Sequence, residues 1–478
     1  MSGPEATAEV PLVVDLDGTL LRTDLLHEST LVLLRSDPLS VLKLPGWLAV
    51  GKAHLKREIA QRVALDFAGM PYHEELVEWL RSERACGRRL VLATASDEKL
   101  AQAVAAHLPL FDEVLASDGR TNNASDRKAA ALVERYGERG FDYVGNSSAD
   151  LAVWERARRA VLVSAPASIR RAAAQRAEVD REFGAAPAGM KAWVKALRLH
   201  QWLKNVLLFL PLLGSHQILD GGLLTKACIA FLAFGLCASS VYVLNDLMDL
   251  ESDRHHPRKR LRPFAAGVLS PLSGIAVAGL LLLASFAIAA WVAPAFLAWL
   301  GVYFGITLAY TFWLKRKEIV DALSLAGLYT LRIIAGGAAV GIAASFWLLA
   351  FSLFLFLSLA LVKRCSEFQV MLAQGRAEAT GRGYRPEDLP LIQTLGVVAG
   401  FAAVLVLALY INGESVALLY SRPQMMWLTV PILLYWITRV WIKTHRGLMH
   451  DDPVLFALKD RVSILCGAMF LAVMWAAK

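Results

Sequence analysis

The sequence predicts two folds in series: an α/β domain on a parallel sheet, then an all-α polytopic membrane bundle of about nine transmembrane helices. Three observations predict this. Short apolar strands alternate with helical stretches over the first third of the chain, and each strand ends in a polar cluster. Long apolar segments fill the other two-thirds. The 478 residues are 56% hydrophobic and only 19% charged, with a mean hydropathy of +0.46.

Residues 11–14 read as a buried strand that runs straight into Asp15-Leu16-Asp17-Gly18-Thr19. Residues 90–93 form a second strand ending at Thr94-Ala95-Ser96, followed by a helical stretch over 98–107. A third strand, 141–144, ends at Gly145-Asn146, and 160–163 is a fourth. Strands alternating with helices imply a parallel sheet whose ligand site lies beyond the carboxyl ends of the strands. Every polar cluster just named falls there. Residues 1–180 therefore read as one domain. Residues 169–190, rich in Ala, Arg and Glu and closing in GAAPAG, read as a linker, helical at first. In the 181–203 joint, Trp193, Val194, Leu197 and Leu199 are interleaved with Lys191, Lys195, Arg198 and His200, a basic amphipathic pattern suited to a membrane surface.

Apolar segments long enough to span, or nearly so, fall at 204–219, 225–245, 272–292, 294–313, 319–341, 344–362, 391–411, 425–442 and 462–477, within a membrane domain of residues 204–478. The loops after the second, fourth, sixth and eighth spans carry the cations. These are Arg254 to Arg262, Lys315-Arg316-Lys317, Lys363-Arg364 with Arg376, Arg382 and Arg385, and Lys443, Arg446, Lys459 and Arg461. That bias predicts a multi-pass inner-membrane protein with the first domain and these loops in the cytoplasm. The segment 204–219, interrupted by Pro211 and Gly214, has the weakest span signal.

The stretch 245–267, NDLMDLESDRHHPRKRLRPFAAG, places four acidic residues and five Lys/Arg where a span surfaces. Asp246, Asp249 and Asp253, spaced by three and four, share one face of a helix. Three such carboxylates repel one another unless a cation sits among them. Oxygen-only ligands favour Mg²⁺, which commonly bridges carboxylates to phosphates. Arg254, Arg258, Lys259, Arg260 and Arg262 offer a complementary clamp for anionic oxygens. Further polar islands are HQWLKN at 200–205, Tyr310 to Asp321 with Lys315 and Lys317, the intramembrane Arg332, and Lys363-Arg364 with Glu367. A charged residue inside a span normally faces a cavity or a partner. Asp451-Asp452 and Asp460 read as a solvated loop rather than a metal site.

Asp15-Leu16-Asp17-Gly18-Thr19, Thr94, Lys128 and Gly145-Asn146-Ser147-Ser148-Ala149-Asp150, in that order, resemble the four motifs of haloacid-dehalogenase-type phosphatases over roughly the first 165 residues. The resemblance implies a Rossmann-like fold with a small helical cap at about 25–75. It implies Asp15 as nucleophile, Asp17 as general acid/base, Thr94 as phosphoryl holder and Lys128 as charge neutraliser. Asp15, Asp17, Asn146 and Asp150 would face Mg²⁺. The fourth motif departs from its usual Gly-Asp start, since Asn146 contributes a neutral oxygen in place of a charge. An inert, regulatory lobe is the alternative.

Asn245-Asp246, Asp249 and Asp253 after a membrane helix resemble the UbiA-type intramembrane prenyltransferase superfamily, over about 190–478. The second acidic motif departs from it, with Asp321 alone and Leu325 where a partner carboxylate is expected. HQWLKN, HPRKRLRPFAAG, Asp321 followed by LRIIAGG, and KRCSEF are similar to the decaprenyl-phosphate phosphoribosyltransferase branch. The resemblance implies phosphoribosyl diphosphate as donor, polyprenyl phosphate as acceptor and Mg²⁺ on Asp246, Asp249 and Asp253. Asn245, Lys204, Arg258, Lys259, Arg260, Arg262, Lys315, Lys317, Asp321 and Arg332 are the candidate substrate contacts. The phosphatase would then remove the ribose 5-phosphate. Competing readings are prenyl transfer to an aromatic acceptor and transport of a phosphorylated metabolite.

The charge of +8 is met by cytoplasmic loops, so nucleic acid is not implied. Cys86, Cys228, Cys237, Cys365 and Cys466 are scattered without a CxxC pair, which predicts neither disulfides nor zinc. The first fifteen residues lack a basic region followed by a long apolar core, so no cleavable signal peptide is expected. Oligomeric state, including a homo-oligomer, stays open.

Overall fold

The computed structural model describes residues 10–184, 189–373, 384–413, 416, 419–449 and 452–478. Arg376, Arg382 and Asp451 lie outside the described residues. The chain divides into two compact units, one of Met1–Arg198 with Tyr242–Gly279, the other of Leu199–Val241 with Leu280–Lys478.

The first unit contains a six-stranded, all-parallel sheet: β1 (Leu12–Val14), β2 (Leu90–Asp97), β3 (Glu113–Ser117), β4 (Asp142–Gly145), β5 (Arg159–Val163) and β6 (Glu178–Phe183). Their spatial order is β3-β2-β1-β4-β5-β6. Register is set by pairs such as Val13 with Val91 on one side and Val13 with Tyr143 on the other. Side chains alternate between faces, as strand geometry requires. Leu12, Val14, Leu90 and Leu92 join one core and Val13, Val91 and Ala93 the other. Sequence order reverses at β1, and in such sheets the crevice at that switch holds the ligand.

Two strands depart from the expectation. β6 lies inside the stretch read as a linker, after a helix at Ala167–Ala174. It is an edge strand, EVDREF, with mostly exposed side chains, so it lacks the apolar pattern that marks a buried strand. β3 is only half-buried and was equally silent.

Between β1 and β2 lies the cap: Leu25–Ser36, a 3₁₀ turn at Pro38–Lys43, then Leu44–Val50 and Lys52–Arg62. Asp24 caps the first of these helices by accepting from the Leu26 and His27 N–H groups. The stretch Tyr242–Gly279 adds to this unit the end of helix Gly221–Met248, the short helix Leu250–His255 and the loop that follows. Leu31 of the cap packs with Val243, Leu247, Leu250 and Phe264 in one apolar cluster.

Among the described residues, seven helices are long and apolar enough to cross a membrane: Gly221–Met248, Pro271–Val292, Pro294–Phe312, Val320–Val340, Phe346–Leu372, Leu389–Ile411 and Pro423–His445. The sequence suggested about nine. The first segment is instead a 3₁₀ run, Leu199–Phe209, followed by the short helix Leu210–Gly214. Pro211 and Gly214 end the apolar run before a spanning helix can form. The last, Arg461–Ala477, is helical but has only 17 residues.

Within the second unit, Val320–Val340 is the most enclosed helix, as its run of Ala and Gly permits. Trp441 Nε1 donates to Ser358 Oγ at 3.0 Å, and Ser358 Oγ donates to the Gly396 carbonyl at 2.7 Å. Such bonds join helices where lipid offers no alternative partner.

Candidate functional site

At the carboxyl end of β1, Asp15 is buried and doubly held. Lys128 Nζ lies 2.7 Å from Oδ1, and Thr19 Oγ1 donates to Oδ2 at 3.2 Å. Burial pushes the Asp15 carboxyl up to about 7, against the opposing pull of Lys128. Burial alone would lower the Lys128 ammonium, but the charges of Asp15 and Asp150 outweigh it and raise it. Lys128 also donates to the Tyr143 hydroxyl at 2.9 Å, which in turn donates to Asp150 Oδ1 at 2.8 Å. The other Asp150 oxygen accepts from the N–H groups of Asn146 and Ser147, at 3.0 and 2.9 Å. The four motifs therefore converge on one crevice. Gly18 has φ +77°, and a Cβ there would lie 2.3 Å from Asn146 Nδ2, so the turn after Asp15 admits only glycine.

Asp17 sits at the cap entrance. Its carboxylate accepts from Ser96 Oγ at 2.6 Å, Thr94 Oγ1 at 3.3 Å and the Leu25 N–H at 2.8 Å. Burial raises its pKa, helped by Asp24. Lys56, on cap helix Lys52–Arg62, donates to the Ala95 carbonyl at 2.6 Å and so brings the cap onto the end of β2. Ser96, Tyr143 and Lys56 were not foreseen as site residues. They lie outside the four motifs, and only Ser96 carried a signal, as the polar end of a strand.

The acidic stretch is not one helix. Gly221–Met248 ends before Asp249, which directly precedes Leu250–His255, although the backbone bonds from Asp249 N to Asn245 O (3.0 Å) and Asp253 N to Asp249 O (2.8 Å) carry across the break. Asp246 and Asp253 are nearly fully buried and meet at one guanidinium. Arg262 Nη1 lies 3.1 Å from Asp246 Oδ1 and 2.5 Å from Asp253 Oδ2. Arg198, read from sequence only as part of an interfacial helix, also pairs with Asp246 and lies over the Tyr242 ring at 5.2 Å. Burial raises Asp253 despite Arg262. Arg258, Lys259 and Arg260 are exposed on the turn that follows. Arg254 does not join that clamp: it is buried against Glu28 of the cap.

Among the described residues, no group of three or more His, Cys, Asp or Glu side chains is arranged to hold a metal. The two acidic pairs nevertheless suit Mg²⁺, which needs only one or two carboxylates when phosphate and water complete its shell. Asp246 and Asp253 already share one cation, Arg262, and Asp15 and Asp150 flank another, Lys128 at 2.7 and 4.0 Å. Asn245 and Asp249 neighbour the first pair in sequence, and Asn146 the second.

In the second unit, Asp321 is completely buried and accepts from Tyr310 Oη at 2.7 Å and Arg364 Nη2 at 3.0 Å. A lone carboxylate in this motif is thus neutralised by an internal arginine. Arg332 is buried too. It donates to Asn205 Oδ1 (3.1 Å), the Leu328 carbonyl (2.6 Å) and Tyr303 Oη (3.2 Å), and its guanidinium lies 5.0–5.4 Å from the Phe234, Tyr303 and Tyr329 rings. Lys204 and Lys363 share Asp452 at 2.7 and 3.7 Å. Burial alone would raise Asp452, but the two lysines hold it below the usual carboxylate range. Lys315 lies on the 3₁₀ turn Leu314–Arg316, and Lys317 is exposed just after it.

The chain matches the UbiA prenyltransferase family over residues 207–472 and the haloacid dehalogenase-like hydrolase family over 12–155. Uncharacterized protein y4nM of Sinorhizobium fredii is 37% identical over 467 residues, covering 96% of this chain and 90% of that one. Nodulation protein NoeC of Azorhizobium caulinodans is 35% identical, covering 59% of this chain and 92% of that one. Decaprenyl-phosphate phosphoribosyltransferase of Mycobacterium tuberculosis is 34% identical over 300 residues, covering 61% of this chain and 96% of that one.

Proposed function

From the premise that the chain belongs to the UbiA prenyltransferase family and carries a haloacid dehalogenase-like hydrolase domain at its N-terminal end, we propose that it makes polyprenylphosphoryl-ribose in two steps. The membrane part transfers 5-phosphoribose from phosphoribosyl diphosphate to a polyprenyl phosphate, and the hydrolase part then removes the 5-phosphate. The product is a donor for cell-envelope glycans. The observation that carries this reading is that both parts occur in one polypeptide, here and across 96% of this chain in the S. fredii relative. Support for the first step comes from the 34% identity to the M. tuberculosis enzyme over nearly that enzyme's whole length.

In the transfer, an oxygen of the lipid phosphate bonds to ribose C1 as the C1–pyrophosphate bond breaks. The attacking phosphate is already ionised at neutral pH and needs no general base. Mg²⁺, when bound, neutralises charge that accumulates on departing pyrophosphate. Asp246 and Asp253 would hold it, with Asn245 and Asp249 beside them. Arg262, once displaced from the two carboxylates, together with Arg258, Lys259 and Arg260, would grip anionic oxygens. Lys204, Lys315, Lys317 and Arg332 are further candidates for donor contacts, and Asp321 orients Arg364.

In the hydrolysis, the Asp15 carboxylate attacks the 5-phosphate phosphorus and the P–O5 bond breaks. Asp17 delivers a proton to the departing O5. Thr94 holds the phosphoryl oxygens and Lys128 balances their charge. Water then attacks the aspartyl-phosphate phosphorus, passing a proton to the Asp17 carboxylate as the P–O bond to Asp15 breaks and phosphate leaves. Asp15, Asp150 and the Asn146 amide oxygen would contact the Mg²⁺ of this site. The Lys/Arg bias of the loops supports a cytoplasmic location for both reactions.

The test is mass spectrometry of lipids made by purified protein in liposomes from labelled phosphoribosyl diphosphate and polyprenyl phosphate. Wild type should yield polyprenylphosphoryl-ribose, and Asp15→Asn should stop at the phosphoribosyl lipid. Release of phosphate by Asp15→Asn would refute the second step. Labelled lipid made only from a prenyl diphosphate would refute the first.

A further inference from the structure

We propose that the outward face of cap segment Pro38–Val50 seats in the headgroup region of an anionic lipid bilayer. The segment reads PLSVLKLPGWLAV, and its 3₁₀ turn and helix sort their apolar residues into two sets. Leu44 and Trp47 turn inward, onto Leu33, Ile59 and Val63 of neighbouring cap helices. The Arg62 guanidinium, 4.8 Å over the Trp47 ring, closes that inner side. Leu39, Leu42, Leu48 and Val50 turn outward and are 75%, 79%, 50% and 72% exposed. Four large aliphatic side chains within twelve positions, left to water, form a patch of the kind that marks a membrane or partner surface.

Two observations choose lipid. The first is continuity with the membrane part of the same unit. Segment Pro38–Val50 follows cap helix Leu25–Ser36, whose Leu31 packs on Val243 and Leu247 in the last turns of a candidate span, Gly221–Met248. Leu39 follows Leu31 by only eight positions, just past the end of that helix at Ser36. The patch is therefore tethered close to where that span leaves the hydrocarbon. The second is charge. Lys43 and Lys52, both exposed, stand within and just after the patch, and no acidic residue interrupts residues 38–57. Apolar side chains that dip past headgroups while lysines stay among anionic lipid phosphates are the signature of an interfacial segment. A cap seated this way would favour phosphate esters carried on lipids over soluble ones.

The test uses the full chain with exposed Cys86 and Cys228 replaced by serine, carrying Leu42→Cys labelled with an environment-sensitive fluorophore. It is reconstituted in liposomes of phosphatidylcholine and phosphatidylglycerol. Arg120→Cys, on an exposed turn of the same unit, is the control. The label at position 42 should lose most of its emission to nitroxide-bearing lipids and be shielded from aqueous iodide, with the opposite pattern at position 120. Adding Leu39→Glu should reduce the lipid quenching at position 42; this position is exposed, so the fold is not at risk. The proposal is overturned if position 42 behaves like position 120. It is also overturned if position 42 is shielded from iodide but not quenched by lipid in a particle of twice the expected mass, which would make a second copy the occupant.

Discussion

Arg254 and Glu28 form a two-point ion pair across 226 positions of sequence, with Nη2 2.6 Å from Oε1 and Nη1 3.2 Å from Oε2. Arg254 comes directly after Asp253, and Glu28 sits in the first turn of the helix whose Leu25 N–H holds Asp17. Thr23 Oγ1 donates to Glu28 at 2.6 Å and Arg254 Nε to the Ala265 carbonyl at 3.2 Å, so the spare hydrogen-bonding capacity is used. One buried pair thus joins the acidic loop to the hydrolase cap.

Breaking this pair on one side leaves a buried charge without its partner, which typically costs about 3–5 kcal/mol. Glu28→Gln and Arg254→Met should each lower the melting temperature of the detergent-solubilised protein and expose the cap to chymotrypsin. The double variant Glu28→Met/Arg254→Met should recover much of the loss. Single variants that melt like wild type would show that the pair does not hold the cap.

The Asp15 carboxyl is raised from 3.8 to about 7 by burial. Between those values the folded protein keeps a proton that the unfolded chain releases, so this group's contribution to stability falls as pH rises through that window. Asp15→Asn should flatten that part of the stability profile, measured by denaturant titration of the protein in EDTA. Attack requires the carboxylate, so phosphatase activity should rise with pH through about 7. Added Mg²⁺ should move that limb to lower pH, since a bound cation favours the ionised form.

Asp246→Asn and Asp253→Asn should each reduce phosphoribosyl-lipid formation by about 10²–10³-fold, the loss typical of removing one preorganised electrostatic group. Hydrolysis of a soluble phosphate ester should survive in both. Arg262→Ala removes the guanidinium that now occupies both carboxylates, so Mn²⁺ binding followed by electron paramagnetic resonance should tighten while KM for the donor rises. Unchanged Mn²⁺ affinity in all three would place the metal elsewhere.

Arg364→Met should leave Asp321 charged in a site with no exposure, destabilising the second unit by about 3–5 kcal/mol. Asp321→Asn/Arg364→Met should be milder than Arg364→Met alone. Thermal unfolding followed by tryptophan fluorescence would separate these outcomes.

A Cβ at Gly336 would lie 2.1 Å from the Leu208 carbonyl oxygen, a backbone atom on the Leu199–Phe209 run. Gly336→Ala should therefore push that run away from helix Val320–Val340 at about 1–3 kcal/mol. Lower yield of monodisperse protein on size-exclusion chromatography, with Gly327→Ala as an unhindered control, would report it.

Much of this arrangement was legible in the sequence. β1, β2, β4 and β5 are apolar runs that end in the motif residues, and their order along the chain matched a parallel sheet. The hydrolase crevice followed, because Asp15, Asp17, Thr94, Lys128 and Asp150 each belong to a motif with a chemical reason for its residue type. β6 did not follow, because an exposed edge strand has no buried face to impose alternation. The pairing of Arg198 with Asp246 and of Arg364 with Asp321 was also hidden, since cations near span ends look alike in sequence whether they bias topology or neutralise a buried acid. The acidic triad straddles a helix break at Asp249, a distinction of backbone angle that spacing alone does not encode.

The 226 positions between Glu28 and Arg254 also set an order of assembly. At typical synthesis rates of about 5–20 residues per second, Arg254 leaves the ribosome roughly 10–50 s after Glu28. Strands β2 to β6 and most of the cap emerge within that interval, while Gly221–Met248 has still to enter the bilayer. For that time Glu28 keeps Thr23 but lacks Arg254, and Leu31 lacks its partners from the span. Insertion of that span thus delivers the last pieces of the sheet-bearing unit, and a nascent chain stalled before it should display a loose, protease-sensitive cap on an already folded sheet.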